Sequence, residues 1–487
     1  MTEKTIYELS QPGRKGFTFP ASDVPSSPLP KGFEREAVNL PELSELDVIR
    51  HFTNLSHLNH SVDGGFYPLG SCTMKYNPKI NEVAVRLPGF SQTHPLQPIT
   101  SVQGNLYLMY QLQEWIQEIS GFHKVSLTPA AGAHGELVGA LIIKKYHEDN
   151  NETQRVKILI PDSAHGTNPA TSSMSGFVVV PLPSDERGNV DLDALKSNCD
   201  ETLAGLMLTN PNTLGLFDEN VVEVIEMVHT AGGLVYGDGA NLNALLGILR
   251  PGDVGFDIMH FNLHKTFSTP HGGGGPGSGP VGVSESLAEY LPGPIVTILD
   301  EGDEENPPFY GLYMPEKSIG RMKAFFGHFG VLVKAFTYIA MHGPDGLRDI
   351  GVKAVLNANY LMEKVKKDYF LPYDRICMHE FVVEGTWKDV PSVHALDISK
   401  RLIDYGFHPP TNYFPLIVHE ALMVEPTETE SKQTLDAFAA AMKAIAQEAR
   451  ENPELLTKAP HTAPIRRTDE VKAARDLVLC CWTPEIL

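Results

Sequence analysis

The spacing of hydrophobic positions predicts strands that alternate with helices through the middle of the chain. Short apolar runs, each long enough for one buried strand, occupy residues 156–160, 177–182, 205–209, 234–238 and 256–263. Amphipathic patterns at 105–119 and 219–232 predict helices, and Gly232 and Gly233 supply the stop of the second helix. Because strands of this kind are covered on both faces, we predict an α/β fold with a mostly parallel sheet.

The first part of the chain has a different pattern. Residues 1–100 are rich in Pro, Gly, Ser and Asn, and only the stretch 42–56 has the pattern of a helix. Such a segment is ordered only when it packs on another body. We therefore predict an extended N-terminal arm over residues 1–100, followed by a large domain over 101–335.

The last part of the chain predicts a second, smaller α/β domain over residues 336–487. Helical patterns at 394–406 and 431–449 occur together with strand-like runs at 380–385 and 415–424. Thr427 and Glu430 have the spacing of a capping box, which predicts that the last long helix begins there.

Composition and charge exclude several classes of partner. The chain has 487 residues and a net charge of −21, and it contains no block of Lys and Arg that would bind a phosphate backbone. No apolar run is long enough to span a bilayer, and the N-terminus lacks the apolar core of a signal peptide. The five cysteines show no C-x-x-C spacing. We expect a cytoplasmic protein that binds neither nucleic acid nor membrane.

Four polar segments follow predicted strands, where parallel sheets bind their ligands. They are PAAGAHGE (129–136), PDSAHGTNPA (161–170), LVYGDGANLNA (234–244) and NLHKTFSTPHGGGGPGSGP (262–280). Taken alone, each has an ordinary interpretation. In the order given, these are a loop that enters a helix, a loop histidine whose hydrogen bonds are all made within the protein, a helix N-cap at Asp238, and a Lys265 that is exposed to solvent. Each also has a functional interpretation, which the four segments strengthen when they are taken together.

The order of these segments matches the parts that pyridoxal 5'-phosphate (PLP) requires. Gly132 and Gly135 allow a backbone loop to approach a phosphate at a helix N-terminus. His165 is a flat side chain that can stack on a ring, Asp238 closes a buried strand, and Lys265 follows as a nucleophile. A buried Asp238 needs a cation or a protonated nitrogen as its partner.

Two other kinds of site are not favoured by the sequence. The run GGGGPGSGP lacks the Lys-Ser/Thr ending of a Walker A loop and opens no helix, so it does not indicate nucleotide binding. His264 and His271 are not part of an HExxH motif, and we expect no catalytic metal.

Longer motifs carry a family resemblance. YPLGSCTMKYNP (67–78), PAAGAHGE, IPDSAHGTNPA (160–170), VYGDGANLNA (235–244) and the segment around Lys265 resemble the P-protein family of glycine cleavage systems, in the form of the second subunit of a split P-protein. The resemblance implies a fold-type I PLP-dependent transferase fold with a seven-stranded, mostly parallel sheet. It also implies the activity of glycine dehydrogenase (aminomethyl-transferring): glycine is decarboxylated and its aminomethyl group passes to the lipoyl arm of the H-protein.

The resemblance assigns roles to residues of this chain. Lys265 would bond covalently to PLP, Asp238 would pair with the pyridine nitrogen, and His165 would stack on the ring. His165 and His264 would assist in orientation or proton transfer. Further cofactor contacts are implied for Gly132, Ala133, His134, Thr209 and Asn210. The implied partners are glycine, lipoylated H-protein and a paralogous first subunit in an α2β2 heterotetramer, which the arm would wrap.

Alternatives remain open at this point. Another fold-type I PLP enzyme, such as an aminotransferase, a decarboxylase or a desulfurase, shares the same cofactor parts, and Cys72 is the candidate for the reactive thiol that a desulfurase needs. A non-catalytic scaffold subunit is the second alternative, although the presence of Lys265 and Asp238 argues against it. Arg321, Arg466 and Arg467 are candidates for binding the glycine carboxylate.

Overall fold

A seven-stranded sheet forms the centre of the computed structural model, which describes residues 3–34, 40–269 and 275–478. Its strands are β1 (Lys124–Ser126), β2 (Lys157–Pro161), β3 (Val178–Leu182), β4 (Leu203–Thr209), β5 (Leu234–Gly239), β6 (Ile258–Phe261) and β7 (Val281–Val283). Their order is β1-β7-β6-β5-β4-β2-β3, and only β7 runs antiparallel to its neighbours. The predicted α/β fold with a mostly parallel sheet is confirmed.

The five predicted strand segments correspond to β2 through β6, with one difference. The run 256–263 stops being a strand at Phe261, and a helical turn follows. The turn forms because the N–H groups of Lys265 and Thr266 donate to the carbonyl of Asn262 instead of to a neighbouring strand. Lys265 therefore lies in a short helix.

The helices cover both faces of this sheet and build the C-terminal part. They are α1 (Glu45–His57), α2 (Lys79–Val85), α3 (Pro88–Ser91), α4 (Gln103–Ser120), α5 (Gly132–Asp149), α6 (Thr167–Met174), α7 (Leu192–Asn198), α8 (Val221–Thr230), α9 (Pro251–Val254), α10 (Leu263–Thr266), α11 (Phe329–Val365), α12 (Ala395–Asp404), α13 (Lys432–Glu451), α14 (Pro453–Thr457) and α15 (Glu470–Arg475). Short 3-10 turns lie at Ile99–Ser101, Leu242–Ala244 and Glu285–Tyr290.

The helix ends match the sequence in one case and differ in another. Helix α8 is followed by Gly232 with a left-handed φ of 83°, as predicted. The prediction of a capping box at Thr427 and Glu430 is wrong. Helix α13 begins at Lys432, and the Ser431 side chain accepts the hydrogen bond from the N–H of Thr434.

A second sheet organises the C-terminal part. Strands β10 (Phe381–Glu384), β11 (Thr411–Asn412) and β12 (Ala421–Val424) pair in the order β10-β12-β11, while β8 (Ile295–Asp300) and β9 (Phe309–Tyr313) form a separate hairpin. Helices α11 to α14 share an apolar core with this sheet that includes Phe381, Leu402 and Phe438. The predicted domain boundary after residue 335 falls within α11 and stays a prediction.

The N-terminal region contains both exposed and buried segments. Phe17 and Phe19 are 69% and 83% exposed, whereas the segment 67–78 meets β12 at a bridge between Leu69 and Val424. In the described residues, no helix has both the length and the apolar character needed to cross a membrane.

Candidate active site

The carboxyl ends of β4, β5 and β6 bring several predicted site residues together. Asp238 is the partner of Thr209 on β4 and of His260 on β6 in the strand register. Lys265 follows β6 in α10, and His165 precedes α6, the helix after β2. Parallel strands end at one edge of their sheet, so segments far apart in sequence meet there.

Asp238 is a buried carboxylate that remains ionised. It is 1% exposed, its Oδ2 lies 2.9 Å from His165 Nδ1, and its Oδ1 accepts from the N–H of Ala240 at 3.0 Å and lies 3.5 Å from His260 Nε2. Burial by itself would raise the pKa of Asp238, but the histidine charges and these hydrogen bonds outweigh burial and hold the pKa well below its usual value. Asp238 is thus prepared to pair with a protonated nitrogen.

His165 lies between Asp238 and the segment 67–78. Its Nε2 is 2.6 Å from Ser71 Oγ, and its ring lies 6.1 Å from that of Phe414 with an angle of 17° between the planes. The two ring nitrogens are therefore both held, which fixes the plane of the imidazole. Stacking of His165 on a cofactor ring stays a prediction.

Lys265 has one polar contact that the sequence did not indicate. Its Nζ donates a hydrogen bond of 2.7 Å to the carbonyl of Ser71. His264, the preceding residue, lies instead against Ser278, with Nδ1 3.2 Å from both the N–H and the carbonyl oxygen of that residue. The two neighbouring side chains thus contact different segments: Lys265 contacts the segment 67–78, and His264 contacts Ser278.

The predicted phosphate loop leads into α5 without a capping side chain. Ala131 is the N-cap and makes no side-chain hydrogen bond, so the first N–H groups of the helix, from Gly132 and Ala133, are available to an anion. His134 Nδ1 accepts from the N–H of Ala130 at 3.2 Å. The side chain of His134 therefore stabilises its own loop, and burial lowers its pKa.

A cleft of about 520 Å³ opens beside this loop. It is lined by Ala130, Ala131, His264, Gly275, Pro276, Gly277 and His328. The glycine run at Gly272–Gly275 lies mostly outside the described residues, because only Gly275 belongs to them.

Thr209 and Asn210 have different surroundings. Thr209 is buried, and its Oγ1 has no hydrogen-bond partner among the described residues. Asn210 Oδ1 accepts from the N–H of Asp218 at 3.0 Å, which is a structural contact. The buried Oγ atoms of Thr266 and Ser278 likewise lack partners in the described ranges.

These features fit a flat aromatic cofactor that carries an anionic group. The uncapped start of α5 suits the anion, ionised Asp238 suits a protonated ring nitrogen, and Lys265 supplies an amine. The unpartnered hydroxyl groups of Thr209 and Thr266 add buried donors that a bound group would satisfy.

Comparison with known proteins identifies the family. A subunit 2 of glycine dehydrogenase (decarboxylating), named as probable, from Caldanaerobacter subterraneus subsp. tengcongensis is 58% identical over 98% of this chain and 98% of its own. A second protein of that name, from Desulforamulus reducens, is 57% identical over 100% of both chains. The chain belongs to the glycine dehydrogenase (decarboxylating) subunit 2 family. Residues 351–463 also match the family model described as glycine dehydrogenase, C-terminal domain.

Solved structures support the same fold class. A glycine decarboxylase (P-protein) of the glycine cleavage system, in inhibitor-bound form, superposes with a TM-score of 0.72 at 21% identity and covers 86% of this chain and 93% of its own. A cysteine desulfurase from Thermococcus onnurineus has a TM-score of 0.59 at 14% identity, covering 79% of this chain and 95% of its own. The predicted fold-type I architecture is confirmed.

In this family member, the segment 67–78 supplies site residues that sequence reasoning missed. Ser71 contacts both His165 and Lys265. Lys75 is buried, and its Nζ donates to Glu428 at 2.8 Å and to the carbonyl of Thr266 at 2.7 Å. The motif carries the family resemblance, but a serine and a lysine in an irregular segment form no pattern that could assign them a role.

Three further acids escaped sequence reasoning. Burial and the charge of Asp238 raise the pKa of Glu136 to about 8, and Thr167 donates to its Oε1 at 2.8 Å. Glu380 and Glu425 are fully buried, and burial raises the pKa of both carboxyls. Glu136 closes the PAAGAHGE motif and was therefore visible as a candidate. Glu380 begins the strand-like run 380–385, and Glu425 directly follows the run 415–424.

Glu380 and Glu425 lie close to a buried histidine. Ligand atoms of His379, Glu380 and Glu425 are within 4.8 Å of one another. Neither oxygen of Glu425 nor either ring nitrogen of His379 has a hydrogen-bond partner in the part of the chain that the structure describes. The expectation that no metal is used stays a prediction.

Cys72, Arg466 and Arg467 have surroundings that do not match the roles considered for them. Burial raises the pKa of the Cys72 thiol, which opposes its use as a thiolate nucleophile. Arg466 and Arg467 donate to carbonyls of residues 456–460, and Arg467 also pairs with Asp397. Cys480 and Cys481 lie outside the described residues.

Proposed function

We propose that this chain carries out the PLP-dependent decarboxylation of glycine and transfers the aminomethyl group to the lipoyl arm of the H-protein. The observation that carries the proposal is an ionised, buried Asp238 at the same strand edge as Lys265, in a chain of the glycine dehydrogenase family. Carbon dioxide is the other product. The donor set also fits the cofactor, as the uncapped helix and the unpartnered hydroxyls indicate.

Each cofactor contact has a proposed residue. Lys265 would hold PLP covalently through Nζ, Asp238 would keep the proton on the pyridine nitrogen, and His165 would lie on the ring. The phosphate would be bound by the N–H groups of Gly132, Ala133 and His134 at the start of α5, with Thr209 and Asn210 near the ring. When bound, PLP supplies the acceptor for the electron pair that departing CO2 leaves behind.

The chain's own groups would manage protons around that reaction. Asp238 stays ionised because two histidines face it, and this negative charge favours a protonated partner on the ring. The Lys265 amine is a candidate proton carrier, because a free lysine amine can carry a proton to or from substrate carbon. Glu136, whose pKa is about 8, adds a buried acid that holds its proton at neutral pH. His264 is a further proton-transfer candidate.

The proposed assembly explains the exposed arm. Phe17, Phe19 and Phe33 are 69%, 83% and 78% exposed, and apolar side chains of this size favour burial against another surface. We assign the paralogous first subunit to that role, in an α2β2 heterotetramer. The lipoyl arm of the H-protein would enter through the cleft beside Gly275.

The test is exchange of labelled bicarbonate into the carboxyl group of glycine. We expect exchange when the chain is combined with its first subunit, PLP and lipoylated H-protein, and no exchange when lipoylation is omitted. Lack of exchange in the complete mixture would overturn the proposal. Formation of glyoxylate instead would indicate an aminotransferase, and a protein that stays colourless after incubation with PLP would indicate a scaffold subunit.

A further inference from the structure

Ser71 contacts two of the side chains to which the proposed function gives roles. Its hydroxyl oxygen lies 2.6 Å from His165 Nε2, and its carbonyl oxygen accepts a hydrogen bond of 2.7 Å from Lys265 Nζ. His165 and Lys265 lie on different elements and are far apart in the sequence. One residue of the segment 67–78 therefore links the imidazole to the amine.

The backbone of Ser71 has an unusual conformation that other residues hold. Its φ is 64°, in the left-handed region that non-glycine residues rarely adopt. The Ser71 N–H donates to Glu380 Oε2 at 2.6 Å, and the preceding carbonyl, of Gly70, accepts from Thr411 Oγ1 at 2.8 Å. A strained residue persists only where its surroundings fix it, and strain of this kind concentrates at functional sites.

Glu380 is suited to hold this backbone unit. It is fully buried and lies 309 residues from Ser71 along the chain. Its other oxygen, Oε1, lies 3.5 Å from Asn241 Nδ2. A buried carboxyl group needs hydrogen-bond donors, and the Ser71 amide is the closest one it has among the described residues.

Both ring nitrogens of His165 have hydrogen-bond partners, and the bond to Asp238 has a defined direction. Ionised Asp238 can only accept, so His165 Nδ1 carries the proton that points to it, at 2.9 Å. Nε2 accepts from the Ser71 hydroxyl when the ring is neutral and donates to the hydroxyl oxygen when the ring is protonated. Ser71 thereby supports the plane of the ring in either state.

We propose that Ser71 is a positioning residue for the decarboxylation, whose hydroxyl orients His165 and whose carbonyl orients Lys265, with Glu380 fixing the Ser71 backbone. Ser71 acts through the other two side chains. The reaction named in this proposal rests on the proposed function, whereas the contacts of Ser71 do not depend on it. The proposal assigns a role to the buried Glu380, which lies outside every segment whose sequence indicated cofactor binding.

Other titratable groups also interact electrostatically with the Lys265 amine. Titratable groups whose charge reaches Lys265, or is reached by it, are Cys72, Glu136, His260, His379, Glu380 and Glu425. Of these, the variants below change only Glu380.

The decisive variants separate the hydroxyl from the backbone. Ser71→Gly removes the hydroxyl, keeps the carbonyl and suits the left-handed φ. Glu380→Ala removes the acceptor of the Ser71 amide, whereas Glu380→Gln keeps an acceptor oxygen. Asn151→Gly is the matched control, because Asn151 is exposed and also has a left-handed φ, of 61°.

Two readouts do not depend on catalysis. The first is the rate at which a small amine-reactive reagent modifies Lys265 in the cofactor-free protein, followed by peptide mass spectrometry across pH. The second is the pH midpoint of the visible absorbance of PLP bound to Lys265. The exchange of labelled bicarbonate into glycine, with kcat and KM separated, is the third readout.

For Ser71→Gly we expect an unchanged rate of Lys265 modification, because the carbonyl is kept. The loss of one hydrogen bond should shift the pH midpoint of the absorbance by roughly 0.5–1 pH unit and lower kcat by about 3- to 10-fold at similar KM. Glu380→Ala should change the Lys265 modification profile as well, and Glu380→Gln should restore it. Asn151→Gly should match the wild type.

Specific results would overturn the proposal. A Ser71→Gly protein with the wild-type absorbance midpoint and the wild-type kcat would do so, and so would a Glu380→Ala protein with unaltered modification of Lys265. If Glu380→Ala does not fold, Ser71→Gly and Glu380→Gln still decide. Absence of exchange in the wild type would instead defeat the proposed function, and the first two readouts would still test the positioning role.

Discussion

Two sides of the candidate site are built in different ways. The sheet side consists of Thr209, Asp238 and His260, at the ends of β4, β5 and β6, and their backbone positions follow from the strand register. The loop side consists of Ser71 and Glu380, which are 309 residues apart along the chain and joined by a hydrogen bond of 2.6 Å. A sheet positions residues through its regular ladder, whereas an irregular segment depends on individual buried contacts.

The two sides also differ in charge state. On the sheet side, two histidines keep the pKa of Asp238 well below its usual value, so this carboxylate is ionised. Near the loop side, burial and neighbouring acids raise the pKa of Glu380 and Glu425, so these acids favour their protonated forms. Asp238 can therefore pair with a cation, while Glu380 supports structure. The predictions below test this division.

The largest effect is expected at the amine between the two sides. Lys265→Ala removes the only proposed covalent attachment point, so we expect no visible absorbance of bound PLP and bicarbonate exchange below detection. Absorbance spectra after incubation with PLP measure this. Lys79→Ala is the control, since Lys79 pairs with the exposed Asp63 and should leave the spectrum unchanged. A yellow Lys265→Ala protein would mean that another lysine holds the cofactor.

A large effect is also expected on the sheet side. Asp238→Asn removes the negative charge, so exchange should fall by about 10²- to 10³-fold, the range for one preorganised electrostatic contact. Steady-state exchange kinetics measure the loss. Asp218→Asn serves as the control, because Asp218 is also buried and, among the described residues, its carboxylate accepts from the N–H groups of Val190 and Asn220 at 2.8 Å. Equal losses in both variants would remove the distinction between catalytic and structural carboxylates.

A smaller effect is expected where the segment 67–78 meets β12. A methyl group on Gly70 would overlap the side chain of Met423, so Gly70→Ala should displace the backbone beside Ser71 and lower exchange by roughly 10-fold. Met423→Ala in the same chain provides space and should recover most of the activity. Kinetics of the single and double variants check this. Failure of the second substitution to rescue would show that this contact does not position the loop side.

The smallest effect concerns stability against pH. Burial raises the pKa of Glu425 to about 7 from an ordinary value of 4.5. Between these pH values the folded chain retains a proton that the unfolded chain has lost, so the free energy of unfolding falls as pH rises from about 4.5 to about 7. Glu425→Gln should flatten this fall and raise the melting temperature at neutral pH. Thermal melts of the cofactor-free protein measure it.

The control for this prediction is Glu451→Gln, which changes an exposed acid on α13. It should leave the dependence of melting temperature on pH as in the wild type. The same slope for Glu425→Gln would show that Glu425 is ionised in the folded chain, and would remove the contrast in charge state between the two sides.

Sequence reasoning found Asp238 on the sheet side because strand ends follow from local patterns, but it did not name His260. Asp238 closes an apolar run, and the run, β5, has the predicted position to within one residue. Lys265 required the resemblance in addition, since a lysine after a strand has no distinctive pattern. Glu380 could not be found, because its function depends on an amide that reaches it only after the chain has folded.

The sequence by itself determined the α/β class, the strands β2 to β6 with helices between several of them, and the family, because apolar periodicity and long motifs are local properties. It also determined which residues are candidates at the strand ends. Only the tertiary structure decided that Ser71 joins His165 to Lys265 and that Glu380 holds Ser71. These contacts join segments that no local pattern relates, and they form only when β12 and its sheet pack against the segment 67–78.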